Sequence, residues 1–175
     1  TVYLMAETAP HRIVVVGGGY AGLTTAARIG ETVPGIDLTL IDAKTQFVER
    51  IRLHEIAGGS TPKHLDYADF MAARNGRFVQ ARVLDIDASA QTIRLAPHPG
   101  APDAVAYDIL IYAPGSYTDT QSVPGVDRFA SCLDSRDECE EMAARLDALA
   151  KPGGTVLIAG GGLTAIEAAC EFGER

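Results

Sequence analysis

Apolar positions along the chain recur in two periods. Arg12 to Val16 is an unbroken β-branched run, the pattern of a strand buried on both faces. Leu23, Ala26, Ala27 and Ile29 follow at helical spacing, and the pattern stops between 30 and 35, where Pro34 and Gly35 break it. A second apolar run over 36–41 ends on Asp42. Residues 43–65 carry no period and read as irregular. A short helix is expected over 65–73, with Asp66 near its start. Strands are expected over 77–87 and 91–96, joined by a polar turn, and over 105–113 after the turn cluster Pro97-His-Pro-Gly-Ala-Pro102. Residues 116–125 form a polar connector closing on Val123-Pro-Gly125. The stretch 135–150 is amphipathic, with Met142, Leu146 and Leu149 on one face, and Pro152-Gly-Gly stops it. A last strand is expected over 155–159, followed by a turn and a helical pattern.

These elements predict an α/β chain: a Rossmann-like parallel sheet with a small antiparallel meander, then the opening of a second Rossmann-like unit. We divide it into an N-terminal tail (1–11), a first domain (12–119) and an incomplete second domain (120–175). Thr1 to Leu4 are too few for a signal peptide, and Met5 reads as a natural start. The chain of 175 residues ends just after the second unit opens, so it reads as a fragment.

The two turns carry the chemistry. The first is Ile13-Val-Val-Val-Gly17-Gly18-Gly19-Tyr20-Ala21-Gly22-Leu, and the second is Thr155-Val-Leu-Ile-Ala-Gly160-Gly-Gly162-Leu163-Thr164-Ala165-Ile-Glu167. In each, the first glycine permits a tight exit from the strand, the second lets a diphosphate approach the backbone, and the third small residue brings helix and sheet together. The helix start then offers free N–H groups to the phosphates. Asp42, followed by Ala43 and Lys44, ends the second strand where a carboxylate accepts bonds from both ribose hydroxyls and repels a 2′-phosphate. The first turn is therefore expected to take an adenosine with a free ribose, as in FAD or NAD. The acidic or basic partner of the second turn would lie beyond Arg175, which leaves NAD and NADP both open. Two such motifs separated by a domain's length of chain point to two dinucleotides.

Charge narrows the partners. A net charge of −8 argues against nucleic acid. No apolar run reaches membrane-span length. Cys132, Cys139 and Cys170 fit no zinc or disulfide spacing, so they read as buried or inert thiols of a reduced, cytoplasmic compartment, with Cys170 packed against its own helix.

The glycine turns, the segment Tyr107-Asp-Ile-Leu-Ile-Tyr-Ala113-Pro114-Gly115-Ser and Val123-Pro-Gly125 occur in an order that resembles the N-terminal part of the two-dinucleotide flavoproteins, in particular the type II NADH dehydrogenase-like members of the pyridine nucleotide-disulfide oxidoreductase superfamily. The resemblance implies FAD at the first turn and NAD(P)H at the second. It places Ala113, Pro114 and Gly115 back at the flavin, with Pro114 where the family has Thr, which removes a hydroxyl and an N–H. It places the Val83 backbone against the adenine, Leu53-His54-Glu55 along the flavin, and Glu167 beside the nicotinamide. Glu167 is equally a first-turn acid suited to the helix dipole. Lys44 and Arg52 read as cofactor contacts or solvated cations, and His54 as a packed histidine. Disulfide reductases and peroxide-reducing relatives carry a reactive cysteine between 43 and 65, and this chain has none.

The expected activity is hydride transfer from NAD(P)H to flavin, with electrons passed to a quinone-like acceptor. Other readings stay open: a specialised biosynthetic flavin oxidoreductase, or a flavin-binding subunit whose second polypeptide supplies the C-terminal half. A homodimer and a peripheral membrane attachment are also compatible with the sequence.

Overall fold

The computed structural model describes residues 10–150 and 153–174. The readings placed on the N-terminal tail at Thr1 to Leu4 and at Met5, and the stop at Pro152, lie outside the described residues. The chain forms two compact units. One comprises the described residues up to Phe47 together with His64–Gly115, and the other comprises Val48–Lys63 and the described residues from Ser116 onward.

The first unit is built on a parallel sheet of β1 (Arg12–Val16), β2 (Asp37–Asp42), β3 (Arg77–Gln80) and β7 (Ile109–Tyr112), in the order β3-β2-β1-β7. β1 lies at the centre, paired in parallel with β2 and with β7. A strand held on both sides and covered on both faces must be apolar throughout, which is why Ile13 to Val16 are all buried. Alternation splits the run. Ile13 and Val15, with Leu38 and Leu40, face a core shared with Leu23 and Ala26 of α1 (Tyr20–Thr32) and with Tyr67 and Met71 of α3 (Tyr67–Ala72). Val14, Val16 and Ile41 face a second core with Ile93, Leu95 and Val105. Those last residues come from an antiparallel sheet, β4 (Val83–Asp87), β5 (Thr92–Leu95) and β6 (Ala104–Ala106), in the order β4-β5-β6.

The α/β architecture and the meander are as the sequence predicts, but two expected strands are each broken in two. The run 77–87 divides at Ala81 and Arg82 into β3 of the parallel sheet and β4 of the antiparallel one. The run 105–113 divides at Tyr107 and Asp108 into β6 and β7. At each break a buried side chain, Ala81 or Tyr107, continues the second core while the chain changes sheets. Hydrophobic pattern reports burial, and burial is continuous across a change of sheet, so periodicity does not reveal the break.

The second unit contains a 3₁₀ turn at Arg50–Arg52, α2 (Leu53–Ala57), α4 (Val126–Phe129), α5 (Arg136–Ala150) and α6 (Leu163–Gly173). Its core joins Leu53, Ile56 and Ala57 of α2 to Cys139 of α5, with Met142 and Phe172 packed on the edge. The expectation of irregular chain over 43–65 is thus corrected: Leu53, Ile56 and Ala57 turn one helical face inward, too short a stretch to show a period. The amphipathic face of α5 is centred on Cys139 and Met142, and Leu149 is exposed. The strand expected over 155–159 does not form, and Leu157 is 89% exposed. Among the described residues this segment belongs to neither sheet, and an unpaired apolar run has no ladder to join.

Candidate functional site

The first glycine turn sits where β1 meets α1, and its neighbours are specific. Gly17 has φ of +100°, and a Cβ there would lie 2.1 Å from the Ala113 carbonyl oxygen. The glycine is required both by its left-handed backbone and by the end of β7 pressing on it. A Cβ on Gly22 would lie 1.8 Å from the Gly17 carbonyl oxygen, so the helix can begin this close to the turn only without a side chain. Gly18 is pressed by the Tyr67 ring, where a Cβ would come within 2.4 Å of the ring carbon bearing the hydroxyl.

Gly19 differs from all three. Its backbone is extended, with φ of −74°, a conformation open to any residue. A Cβ there would meet nothing within 4 Å. The folded chain therefore does not need a glycine at 19, and the space in front of it is open. Gly19 is also the N-cap of α1, and no side chain caps it and no acid lies in the first turn. An open, uncapped and acid-free helix start suits a diphosphate.

Asp42 closes the site from β2. Its carboxylate accepts the Gly18 N–H at 2.6 Å on one oxygen and the Lys44 N–H at 2.8 Å on the other. These bonds fix its orientation and leave further lone pairs for hydroxyl donors. Gly17, Asp42, Ala43, Val83 and Pro114 line one groove of about 440 Å³ together with Tyr112. Lys44 is exposed, as is Ala21. Tyr20 lies edge-on to Phe47 at 4.9 Å. Ala113 anchors the end of β7 by donating to the Val16 carbonyl at 2.8 Å, and Gly115 follows with φ of +76°.

Several groove residues carry no signal in the sequence, Tyr112 and Arg82 among them. Tyr112 stands at the end of β7 and Arg82 in the break between β3 and β4, and the fold brings both to the groove. Tyr67 is also invisible to motif reading, since an aromatic on a short helix reads as core. Its hydroxyl donates to the Gly18 carbonyl at 2.8 Å. Burial, and then the charge of Asp42, push its pKa well above the ordinary phenol range.

The remaining candidates belong to the second unit. Gly160 has φ of +136°, and Gly162 caps α6 in extended conformation with no side-chain cap and no acid in the first turn. Gly162, Leu163 and Thr164 are all exposed. The Glu167 carboxylate lies 3.5 Å from His54 Nδ1, so this acid has a neighbour that the sequence does not announce. Arg52 is shared between Glu49 and Glu55, each at 3.4 Å. The Leu53 side chain lies in the core of its unit. Cys139 is buried, which pushes its thiol up to about 11, and Cys132 is raised by burial in the same way. Cys170 is exposed, which corrects its reading as a packing residue: Ala168 turns inward on α6 and Cys170, two positions on, turns away. Among the described residues no helix is long and apolar enough to cross a membrane, and no cluster of His, Cys, Asp and Glu could hold a metal ion.

Comparison with known proteins accords with this geometry. The chain is 31% identical to an NADH dehydrogenase-like protein of Mycobacterium tuberculosis over 94% of its own length and 42% of that protein. It is 26% identical to the type II NADH:quinone oxidoreductase of Staphylococcus aureus over 94% of its length and 43% of that protein. It thus spans less than half the length of these curated relatives. Among solved structures, the reduced CoADR-RHD of Bacillus anthracis superposes with a TM-score of 0.81 at 22% identity, over 96% of this chain and 32% of that one, a likeness of fold. Residues 11–175 match the pyridine nucleotide-disulphide oxidoreductase family, and the chain belongs to it.

Proposed function

We propose that this chain is the FAD-holding part of an NAD(P)H-dependent oxidoreductase whose electrons leave to a quinone or another small organic acceptor. The observation that carries the reading is Gly19: the protein's own packing gives no reason for a glycine there, and a phosphate would. Gly17, Gly18, Gly19 and Gly22 with the start of α1 would hold the diphosphate. Asp42 would accept from the ribose, and the groove at Ala43 and Val83 would take the adenine. Ala113, Pro114 and Gly115 would border the flavin. Bound FAD would supply the redox chemistry, receiving hydride from the nicotinamide and giving electrons to the acceptor. The chain's own task is to bind, orient and shield.

In this reading residues 12–119 are the first part of the FAD domain, and 120–175 open the NAD(P) domain, with Gly160, Gly162, Leu163 and Thr164 at its phosphates. By the family resemblance, Glu167 would lie near the nicotinamide, and Arg52 with Leu53 would adjoin the flavin. The quinone-like acceptor is supported by the name of the Staphylococcus aureus relative and by the lack of cysteine between 43 and 65.

The test is to load the protein with FAD and record its absorbance, with Gly19→Ala beside it. The substitution should leave stability within about 0.5 kcal/mol, because the new methyl meets nothing. It should weaken FAD binding at least about tenfold by entering the phosphate's space. Equal FAD binding by the two proteins, or no flavin uptake by the wild type, would reject the site. Flavin uptake without bleaching by anaerobic NADH or NADPH would make the chain a carrier of flavin and not the site of hydride transfer.

A further inference from the structure

We propose that Tyr67 is a positioning residue for the diphosphate turn, holding the Gly18 carbonyl inward so that the Gly19 N–H is aimed at the ligand's phosphates. The inference rests on the FAD reading of that turn and adds a residue that no glycine motif contains. Gly18 is fixed on both sides: its N–H donates to Asp42 at 2.6 Å, and its carbonyl accepts from the Tyr67 hydroxyl at 2.8 Å. A trans peptide is planar, and its C=O and the following N–H point in opposite directions. Drawing the Gly18 carbonyl toward Tyr67 therefore turns the Gly19 N–H away from Tyr67. Among the described residues no protein acceptor is paired with that N–H. A Cβ on Gly19 finds open space.

The phenol is itself held in place. Its ring is 3% exposed and packs on Phe78 at 5.3 Å between centroids. The Tyr67 N–H donates to the Thr45 carbonyl at 2.9 Å, and the Asp66 carboxylate caps the helix by accepting from Ala68 at 2.8 Å and from Asp69 at 3.3 Å. Gly18 has no Cβ to keep the ring away. Burial, and then the charge of Asp42, raise the phenol's pKa, so at neutral pH the hydroxyl is a donor. The hydroxyl thus sets the plane of one peptide, and that peptide presents a donor at the mouth of the helix.

Tyr67→Phe keeps the ring and removes the donor. Titration calorimetry of FAD, ADP and adenosine on the wild type and this variant separates the phosphate contribution from the rest. The expected result is a Kd for FAD and for ADP raised about fivefold to tenfold, the loss of roughly one aimed hydrogen bond, with the adenosine Kd unchanged. Unchanged FAD and ADP affinity, or an equal loss for adenosine, overturns the inference while leaving the FAD site standing. A wild type that binds neither FAD nor ADP overturns both. A measurement on the wild type alone guards against a variant that does not fold. In amide NMR, ADP should move the Gly19 N–H strongly downfield and leave the Gly18 N–H, already held by Asp42, nearly in place. The opposite pattern sinks the proposal.

Discussion

The two glycine turns share a local plan and differ in everything that surrounds them. At the first, β1 is paired on both sides, Ala113 presses on Gly17, Tyr67 presses on Gly18, and Asp42 holds the Gly18 N–H. At the second, residues 155–159 form no strand, and a Cβ on Gly161 or Gly162 would meet nothing. Yet Gly160 still takes a left-handed φ and Gly162 still caps an eleven-residue helix. A glycine turn is thus a local conformation, whereas a site is made by the chain segments that close around it.

That contrast can be broken by alanine at matched positions. Gly17→Ala should cost at least about 3 kcal/mol, because the side chain strains a left-handed backbone and collides with β7. Gly162→Ala, with extended backbone and open surroundings, should change stability by less than about 0.5 kcal/mol. Urea unfolding of both variants measures the difference, and equal effects would dissolve the contrast. A smaller effect tests how tightly the first sheet is packed. Thr39 is fully buried, and among the described residues its hydroxyl has no hydrogen-bond partner. Thr39→Val keeps the shape and removes the unsatisfied group, so it should stabilise by about 1 kcal/mol in the same assay, and destabilisation would mean the hydroxyl has a role.

The smallest effect concerns the lower end of β1. Arg12 binds Asp108, just ahead of β7, through its N–H at 2.7 Å and its guanidinium at 2.6 Å. The side-chain bond from Arg12 lowers the Asp108 carboxyl from 3.8 to about 2. A lowered pKa gives stability that is complete above 3.8 and fades as pH falls toward 2, where the folded carboxylate takes up its proton. Asp108→Asn should remove that part of the acid dependence and change nothing in its shape near neutral pH. Parallel acid titrations of wild type and variant that superpose throughout would exclude the pair as a contributor.

The sequence made β1, α1, β2, a short helix starting near Asp66 and the helix at α5 legible because each is written as an unbroken apolar run or a helical period. It did not make the breaks at Ala81 and Tyr107 legible, because both residues stay buried while the chain changes sheets. Residues 53–57 were illegible for the opposite reason: a helix of five residues has too few positions to repeat. Over 155–159 the pattern was present and the strand was not, since propensity cannot supply the neighbouring backbone that a ladder needs.

Among candidate ligand contacts, Gly17, Gly19, Gly22 and Asp42 could be named from spacing, because the turn that suits a diphosphate is short and its geometry is written in consecutive residues. Tyr67 and Tyr112 could not, and neither could the approach of His54 to Glu167. Sequence by itself determined β1, α1, β2 and α5, the two glycine turns and the acid at the end of β2. Only the tertiary structure decided which glycines the protein needs for its own packing and which it leaves open, because that depends on contacts across dozens of residues that no local pattern encodes.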